Sequence, residues 1–289
     1  MSIFHPLQAL DYCERQVKDK ALGVYIHGMF LPPEIRPFFY SIHALRIELI
    51  ESRESIMHSN LISTKQAWWL DNLDSIWNNC PAQEPVSIAI SELKKYHTIR
   101  KSHFERLIKG IFEEPQMKNL RTFDRYIDNN YTMCCYLTLE ILHYFGEAEF
   151  EAITYAGRSW GVMEMLLRSK YYAEQGRFYF PEDLLEKYKI PISISKENEE
   201  NNTNELPEQF YDLILEIAAY GKMNLEKARE NQHALPKYAY LAFLQLAQAE
   251  MFYKRLEKHN FNIFNAKTRK FSWMPLVWRM FKCAKKRVF

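Results

Sequence analysis

The spacing of the apolar residues constrains the fold most, because it repeats with the period of an α-helix along most of the chain. Within residues 36–54, Phe39, Ile42, Leu45 and Leu49 recur at intervals of three or four and therefore lie on one helix face. Similar patterns cover residues 64–77, 131–145, 152–172, 208–230 and 238–259. We find no convincing alternating strand and no hairpin turn signal, so the sequence predicts an all-α bundle.

The length and composition are those of an ordinary globular protein. The 289 residues predict one domain over residues 1–289, with a polar, Asn-rich surface loop at about 191–207 and a basic, aromatic tail at about 272–289. The net charge of +2 makes no case for nucleic acid as a partner. The five cysteines are an odd number without a CxxC pair, which argues against a disulfide scaffold or a zinc module.

Several segments, taken in order, resemble the squalene and phytoene synthase family. They read LPPEIRPFFYSIHALRIELIES (residues 31–52), AWWLDNLDSI (67–76), AGRSWGVMEMLLRS (156–169) and GRFYFPEDLL (176–185). The resemblance implies an isoprenoid-synthase-like helical bundle around a central cavity. It also implies chemistry in which two Asp-rich motifs hold Mg²⁺ ions that bind a substrate diphosphate, because Mg²⁺ prefers oxygen ligands.

The first of these motifs is altered in this chain. The family pattern D-D-x-x-D falls on Ile50, Glu51 and Glu54, with Glu48 nearby. Isoleucine replaces one acid, and the longer glutamates shift the ligand atoms of the other two. The degenerate first motif therefore comprises Glu48, Glu51 and Glu54.

The second motif, L-R-D-x-x-x-D followed by G-R-x-Y-x-P, has lost both aspartates. Ser169 and Ala173 stand in their places, and Val162 and Met165 occupy positions expected to face the cavity. A face without carboxylates cannot hold a dication. The residues of this motif and its loop that we single out are Arg168, Ser169, Arg177 and Tyr179. The two arginines could bind a phosphate or lipid headgroup, or form salt bridges.

The altered motifs resemble one branch of the family, which supports the assembly of respiratory complex I. The matching segments are ALRIEL (residues 44–49), a tryptophan pair (68–69), YLTLE (136–140) and WGVMEMLLRS (160–169, with a spacing that differs by one residue). This resemblance implies a non-catalytic assembly factor without metal or cofactor. Its implied partners are complex I subunits or other assembly factors. Its implied location is the matrix side of the inner mitochondrial membrane, although the first twenty residues do not look like a presequence.

Two other functions stay open on the sequence. One is an active Mg²⁺-dependent prenyl diphosphate transferase that uses Glu48, Glu51 and Glu54. The other is a protein that binds an isoprenoid or another lipid in a cavity without metals. Trp68, Trp69 and Trp77 could form a ligand platform, but their helical spacing favours core positions. For His43, near the first motif, we expect a packed histidine rather than a base or metal ligand.

The C-terminal tail mixes aromatic and basic residues in a way that suits the interface of an anionic membrane. The alternative is a final helix that docks on the bundle and leaves a solvated basic end. The residues that we expect to contact a membrane are Trp273, Trp278, Arg279, Lys282, Lys285, Lys286 and Arg287.

Overall fold

The computed structural model describes residues 5–56, 60–174, 179–190 and 207–289. Within these ranges every regular element is a helix, which confirms the all-α prediction. The first seven are α1 (Pro6–Lys20), α2 (Leu22–Gly28), α3 (Arg36–Glu54), α4 (Asn60–Trp77), α5 (Pro85–Tyr96), α6 (Lys101–Phe112) and α7 (Leu120–Ile127).

The second half of the chain contains the longest helices. A π-helical turn (Asp128–Thr132) leads into α8 (Met133–Ile141), which is followed by α9 (Glu147–Glu174) and α10 (Glu182–Lys187). The remaining helices are α11 (Glu208–Glu230), α12 (Gln245–Lys258), α13 (Ala266–Arg269) and α14 (Trp273–Lys286). Two 3₁₀ segments, Gln232–Ala234 and Ala239–Phe243, connect α11 to α12.

The starts of α5 and α7 are set by local side chains that satisfy free backbone N–H groups. The Glu84 carboxylate accepts hydrogen bonds from the backbone of Val86 and Ser87 at the start of α5. Asn119 and Thr122 bond each other's backbone N–H in a reciprocal cap at the start of α7. These caps fix where α5 and α7 begin, and the apolar stripe then fixes which side of each helix is buried.

Two predicted helices have different boundaries in the structure. The periodic segment 238–259 is a 3₁₀ turn over Ala239–Phe243 and becomes α-helical only at Gln245. The segment 131–145 ends as a helix at Ile141, because His143 adopts a left-handed backbone conformation with φ of 63°. In both cases the apolar pattern continues although the backbone hydrogen bonding changes.

The core is built around α9, which packs against α11, α12, α8 and the π-helical turn, while α1 packs against α3 and α5.

Trp69 is buried as predicted, but Trp68 is 42% exposed, so the prediction of a core position was wrong for Trp68. The two tryptophans are adjacent on α4 and cannot both face inward.

The single-domain assignment stays a prediction, and most of the predicted loop at 191–207 lies outside the described residues.

Candidate functional site

A cleft of about 600 Å³ lies between the helices that carry the two altered motifs. The end of α1 and the start of α2 form one wall, α3 and α9 form two others, and Gln248 of α12 and the ring of Phe271 close the remaining side. This is the position that the resemblance predicts for the cavity.

The α3 wall carries the remnant of the first motif. Arg46, Ile50 and Glu54 lie one turn apart on the same helix face, and Ile47 and Glu51 line the cleft beside them. The structure therefore brings two of the three predicted glutamates to the cleft.

Glu48 of the predicted motif is directed elsewhere. Its carboxylate accepts a hydrogen bond of 2.6 Å from the hydroxyl of Tyr12 on α1. Glu48 and Glu51 are three positions apart, so their spacing would allow a shared face, and it is the hydrogen bond from Tyr12 that holds the carboxylate of Glu48 toward α1.

The α9 wall consists of Trp160, Glu164 and Arg168, which also lie one turn apart. Val162 and Met165 were expected to face the cavity, but both are buried in the core. Val162 points toward α11, where it lies against Gly221. The Sδ of Met165 accepts a hydrogen bond of 3.8 Å from the hydroxyl of Tyr131.

Ser169 is likewise buried rather than part of the cleft lining. Its hydroxyl donates a hydrogen bond of 2.7 Å to the carbonyl of Leu166 in its own helix. Among the described residues of the second motif and its loop, Arg168 lines the cleft.

Of the four carboxylates that line the cleft, Asp19 is exposed and the three glutamates are engaged by neighbouring side chains. Lys20 lies 2.6 Å from Glu51, and Arg168 lies 3.7 Å from Glu164. The hydroxyl of Tyr171 donates a hydrogen bond of 3.3 Å to Glu54. A dication would have to compete with a lysine, an arginine and a tyrosine for these oxygens.

A Mg²⁺ site needs several oxygen ligands converging on one point. In the described part of the chain, no group of three or more His, Cys, Asp or Glu side chains is placed to hold a metal ion. The residues of the cleft therefore do not fit the metal centre that the family chemistry implies.

Arg46 is the most buried charged side chain of the cleft, with 7% of its surface exposed. Its Nε donates a hydrogen bond of 2.7 Å to the carbonyl of Asn130, in the π-helical turn. Its guanidinium carbon lies 4.2 Å from the ring centre of Tyr131 and 5.8 Å from that of Trp160. These contacts position the cation by cation–π attraction and supply no negative charge.

A second, smaller pocket adjoins the cleft at Arg46, Ile50 and Glu54. Tyr179 of the retained loop lines this pocket and packs against Tyr172 of α9, with ring centres 4.6 Å apart. Tyr179 is thus placed near the first motif but not in the main cleft. Arg177 lies outside the described residues.

His43 lies in the core behind the cleft. Its ring packs against Phe39, with centres 4.5 Å apart, and against Trp160 at 6.0 Å. Burial lowers its pKa well below the ordinary value, and the nearby His27 and Arg46 lower it further. A neutral, packed imidazole matches the expectation from the sequence.

The sequence reasoning missed several residues of the cleft. Arg46 and Glu164 could have been found, since each lies one turn from a motif residue on the same helix face. Lys20, Gln248 and Phe271 are distant in sequence from both motifs, and no local signal marks them.

The outer side of α14 forms a second candidate site. Leu276, Met280 and Cys283 face the core, so the opposite side of the helix is turned to solvent. There, exposed fractions lie between 46% and 64% for four large apolar side chains, which we call the C-terminal face. The C-terminal face consists of Trp273, Met274, Trp278 and Phe281.

The predicted basic residues of this region divide into two groups. Lys282, Lys285 and Lys286 are exposed, and the ammonium of Lys282 lies 5.1 Å from the ring centre of Trp278. Arg279 instead turns back to the bundle and lies 2.6 Å from Glu250, and Arg287 lies over the ring of Tyr238. The tail is therefore a docked helix with an exposed apolar and basic side.

None of the helices in the described ranges is long and apolar enough to cross a membrane.

Comparisons with known proteins give one matching family and several similar proteins. The family model "Squalene/phytoene synthase" matches residues 20–277. Similar curated proteins are named "NADH dehydrogenase (ubiquinone) complex I, assembly factor 6". The one from Bos taurus is 22% identical and the alignment covers 92% of this chain and 79% of the relative. The one from Homo sapiens is 23% identical, with 88% and 75% covered. A homolog from Dictyostelium discoideum is 25% identical, with 83% and 67% covered.

Solved structures show the same fold at low sequence identity. A dehydrosqualene synthase in complex with a ligand superposes with a TM-score of 0.77 at 14% identity, covering 98% of this chain and 97% of that structure. The squalene synthase HpnC from Alicyclobacillus acidocaldarius has a TM-score of 0.76 at 13% identity, with 89% and 96% covered.

Proposed function

Because the chain belongs to the squalene/phytoene synthase family, and because its curated relatives are complex I assembly factors, we propose that it assists the assembly of mitochondrial complex I without catalysing prenyl transfer. The observation that carries the proposal is the state of the cleft carboxylates. Glu51, Glu54 and Glu164 each have a cation or a hydroxyl of this chain as a neighbour.

A transferase of this family type needs its acids free to share a metal with the substrate diphosphate. Ile50 supplies no ligand, and Lys20 contacts both oxygens of Glu51, at 2.6 and 2.7 Å, so this ion pair would have to open before Glu51 could bind Mg²⁺. These contacts support a binding role for the cleft over a catalytic one. The partners would be complex I subunits or other assembly factors.

A lipid is the second proposed ligand, and Arg46 is the observation that favours it. This cation is held at the cleft by a carbonyl and two aromatic rings. Because none of these contacts is a carboxylate, an anionic headgroup would not have to displace one in order to approach Arg46. Apolar cleft residues such as Leu22, Val24 and Ile47 would contact the hydrocarbon part.

We place the protein on the matrix side of the inner mitochondrial membrane, as a peripheral protein bound through the C-terminal face. Exposed tryptophans next to lysines suit the boundary between headgroups and acyl chains. The surface of α14 supports the membrane contact. The inner mitochondrial membrane is chosen because the proposed role is in complex I assembly.

The first test uses cells that lack this protein, with respiratory complexes resolved on native gels. We expect loss of assembled complex I. We expect rescue by the wild type, by a Glu51→Gln/Glu54→Gln variant and by a matched Glu226→Gln/Glu230→Gln variant, whose glutamates are exposed on α11.

Two outcomes would contradict the proposal. Normal complex I in the knockout would remove the assembly role. Rescue by the wild type and the α11 variant alone would mean that the cleft acids are needed. Mg²⁺-dependent release of pyrophosphate from a prenyl diphosphate by the purified protein, lost in the Glu51→Gln/Glu54→Gln variant, would then establish the transferase.

A further inference from the structure

The mouth of the cleft is partly apolar and open to solvent. Leu22 of α2 and Phe271 both line the cleft, and they are 39% and 38% exposed. Contact between large apolar side chains and water is unfavourable, and it is removed only when another apolar surface covers them. The apolar side chains at the entrance are therefore typical of a surface that another molecule covers when the protein functions.

The C-terminal face begins beside this entrance. Phe271 precedes Trp273, the first residue of α14, by two positions. The helix α14 packs against α2 and α12, and both of these helices also line the cleft. From Trp273 to Phe281 the helix rises about 12 Å, so the exposed aromatic residues extend from the cleft mouth along α14.

The C-terminal segment has charge of one sign, whereas the cleft beside it is also lined by the exposed acids Asp19, Glu51 and Glu54. No acidic residue follows Glu257 in the sequence. Lys270, Lys282, Lys285 and Lys286 are exposed there, and the ring of Trp278 lies against the ring of Phe281. A broad surface of lysines around aromatic side chains complements an anionic bilayer better than a folded protein partner, whose charges are mixed.

We propose that the C-terminal face and the cleft mouth at Leu22 and Phe271 form one surface that docks on an anionic bilayer, so that the cleft opens into the lipid and receives an amphiphile from it. This inference rests on the membrane contact proposed above for α14 and adds the orientation of the cleft. The amphiphile enters tail-last, since the buried cation Arg46 lies inside and the apolar side chains of Leu22 and Phe271 lie at the mouth.

The experiment measures which parts of the surface reach the lipid. An environment-sensitive dye is attached to single cysteines introduced as Phe271→Cys, Trp278→Cys and, as a matched exposed position on α4, Trp68→Cys. The background carries Cys80→Ser, because Cys80 is the exposed native cysteine and the other four are buried. The full chain is mixed with vesicles of phosphatidylcholine alone or with added phosphatidylglycerol, and quenching by lipids brominated in the acyl chain reports insertion.

We expect quenching at positions 271 and 278 on vesicles with phosphatidylglycerol, and none at position 68. Lys282→Gln, Lys285→Gln and Lys286→Gln should each weaken vesicle binding about five-fold. The matched variant Lys65→Gln, beside Trp68 on α4, should leave binding unchanged.

The outcomes separate this inference from the proposed membrane contact. Quenching at 278 without quenching at 271 would overturn the orientation of the cleft and leave the contact of α14 standing. Absence of quenching at both positions would overturn both and indicate that a protein covers the C-terminal face.

Discussion

The buried side chain of His27 contributes to the pH dependence of stability. His27 is buried, and its Nε2 donates a hydrogen bond of 2.7 Å to the carbonyl of Leu241. Burial lowers the pKa of His27 to about 4, against the smaller opposing effect of this carbonyl. The folded protein therefore holds this imidazole neutral, whereas the unfolded chain takes up a proton near pH 6.5.

We expect the free energy of unfolding to fall as the pH drops from about 6.5 toward 4, because the unfolded state then binds more protons than the folded state. For His27 alone the loss at pH 5 is about 2 kcal/mol relative to neutral pH. Urea unfolding of the wild type and of His27→Gln at several pH values measures it.

The His27→Gln variant should show a flatter pH profile, and the exposed His233→Gln variant should follow the wild type. Parallel profiles for the wild type and His27→Gln would mean that His27 does not stay neutral in the folded protein.

Among the helices, α9 depends on close contact with the π-helical turn that positions Arg46. Gly157 and Gly161 lie one turn apart on this face of α9. A Cβ atom on Gly157 would lie 2.8 Å from Cα of Thr132, and one on Gly161 would lie 2.3 Å from Cγ2 of Ile127. These glycines are required by packing, since α-helix propensity alone would favour alanine.

A Gly157→Ala substitution should destabilise the protein by about 1–3 kcal/mol, although alanine is the better helix former by about 1 kcal/mol. The added methyl group meets the backbone of Thr132, which can move only with the π-helical turn. Thermal or urea unfolding gives the measurement.

Glu151→Ala, at an exposed position on the same helix, serves as the control and should change stability by less than about 0.5 kcal/mol. Stabilisation by Gly157→Ala would show that α9 and the turn are not in close contact.

Across the whole molecule, the thiols report whether the bundle is closed. Cys13, Cys134, Cys135 and Cys283 come from three helices, α1, α8 and α14, and are all buried, while Cys80 is exposed. Burial raises the pKa of Cys13 and of Cys134 to about 12, so little thiolate exists at neutral pH.

With a chromogenic disulfide reagent at neutral pH, we expect one thiol per native chain to react fast. The other four thiols should react only when the protein unfolds. The Cys80→Ser variant should lose the fast phase without a change in stability. A second fast thiol in the native protein would mean that part of the bundle opens readily.

The local pattern of apolar residues was enough to predict the helices that bury one continuous stripe. Residues 36–54 and 208–230 form α3 and α11 with the predicted bounds, because helix formation and burial of one face depend on residues a few positions apart. The loss of motif acids at Ile50, Ser169 and Ala173 could also be read from the chain alone, since it concerns residue type.

Only the tertiary structure decided which side chains meet at the cleft. Lys20 reaches Glu51 across 31 positions of the chain, and Arg279 reaches Glu250 across 29. Glu48 turned out to face α1. Such contacts depend on how helices cross and on how each one is rotated about its axis. Those quantities are set by the packing of many side chains together and leave no signal within a short segment.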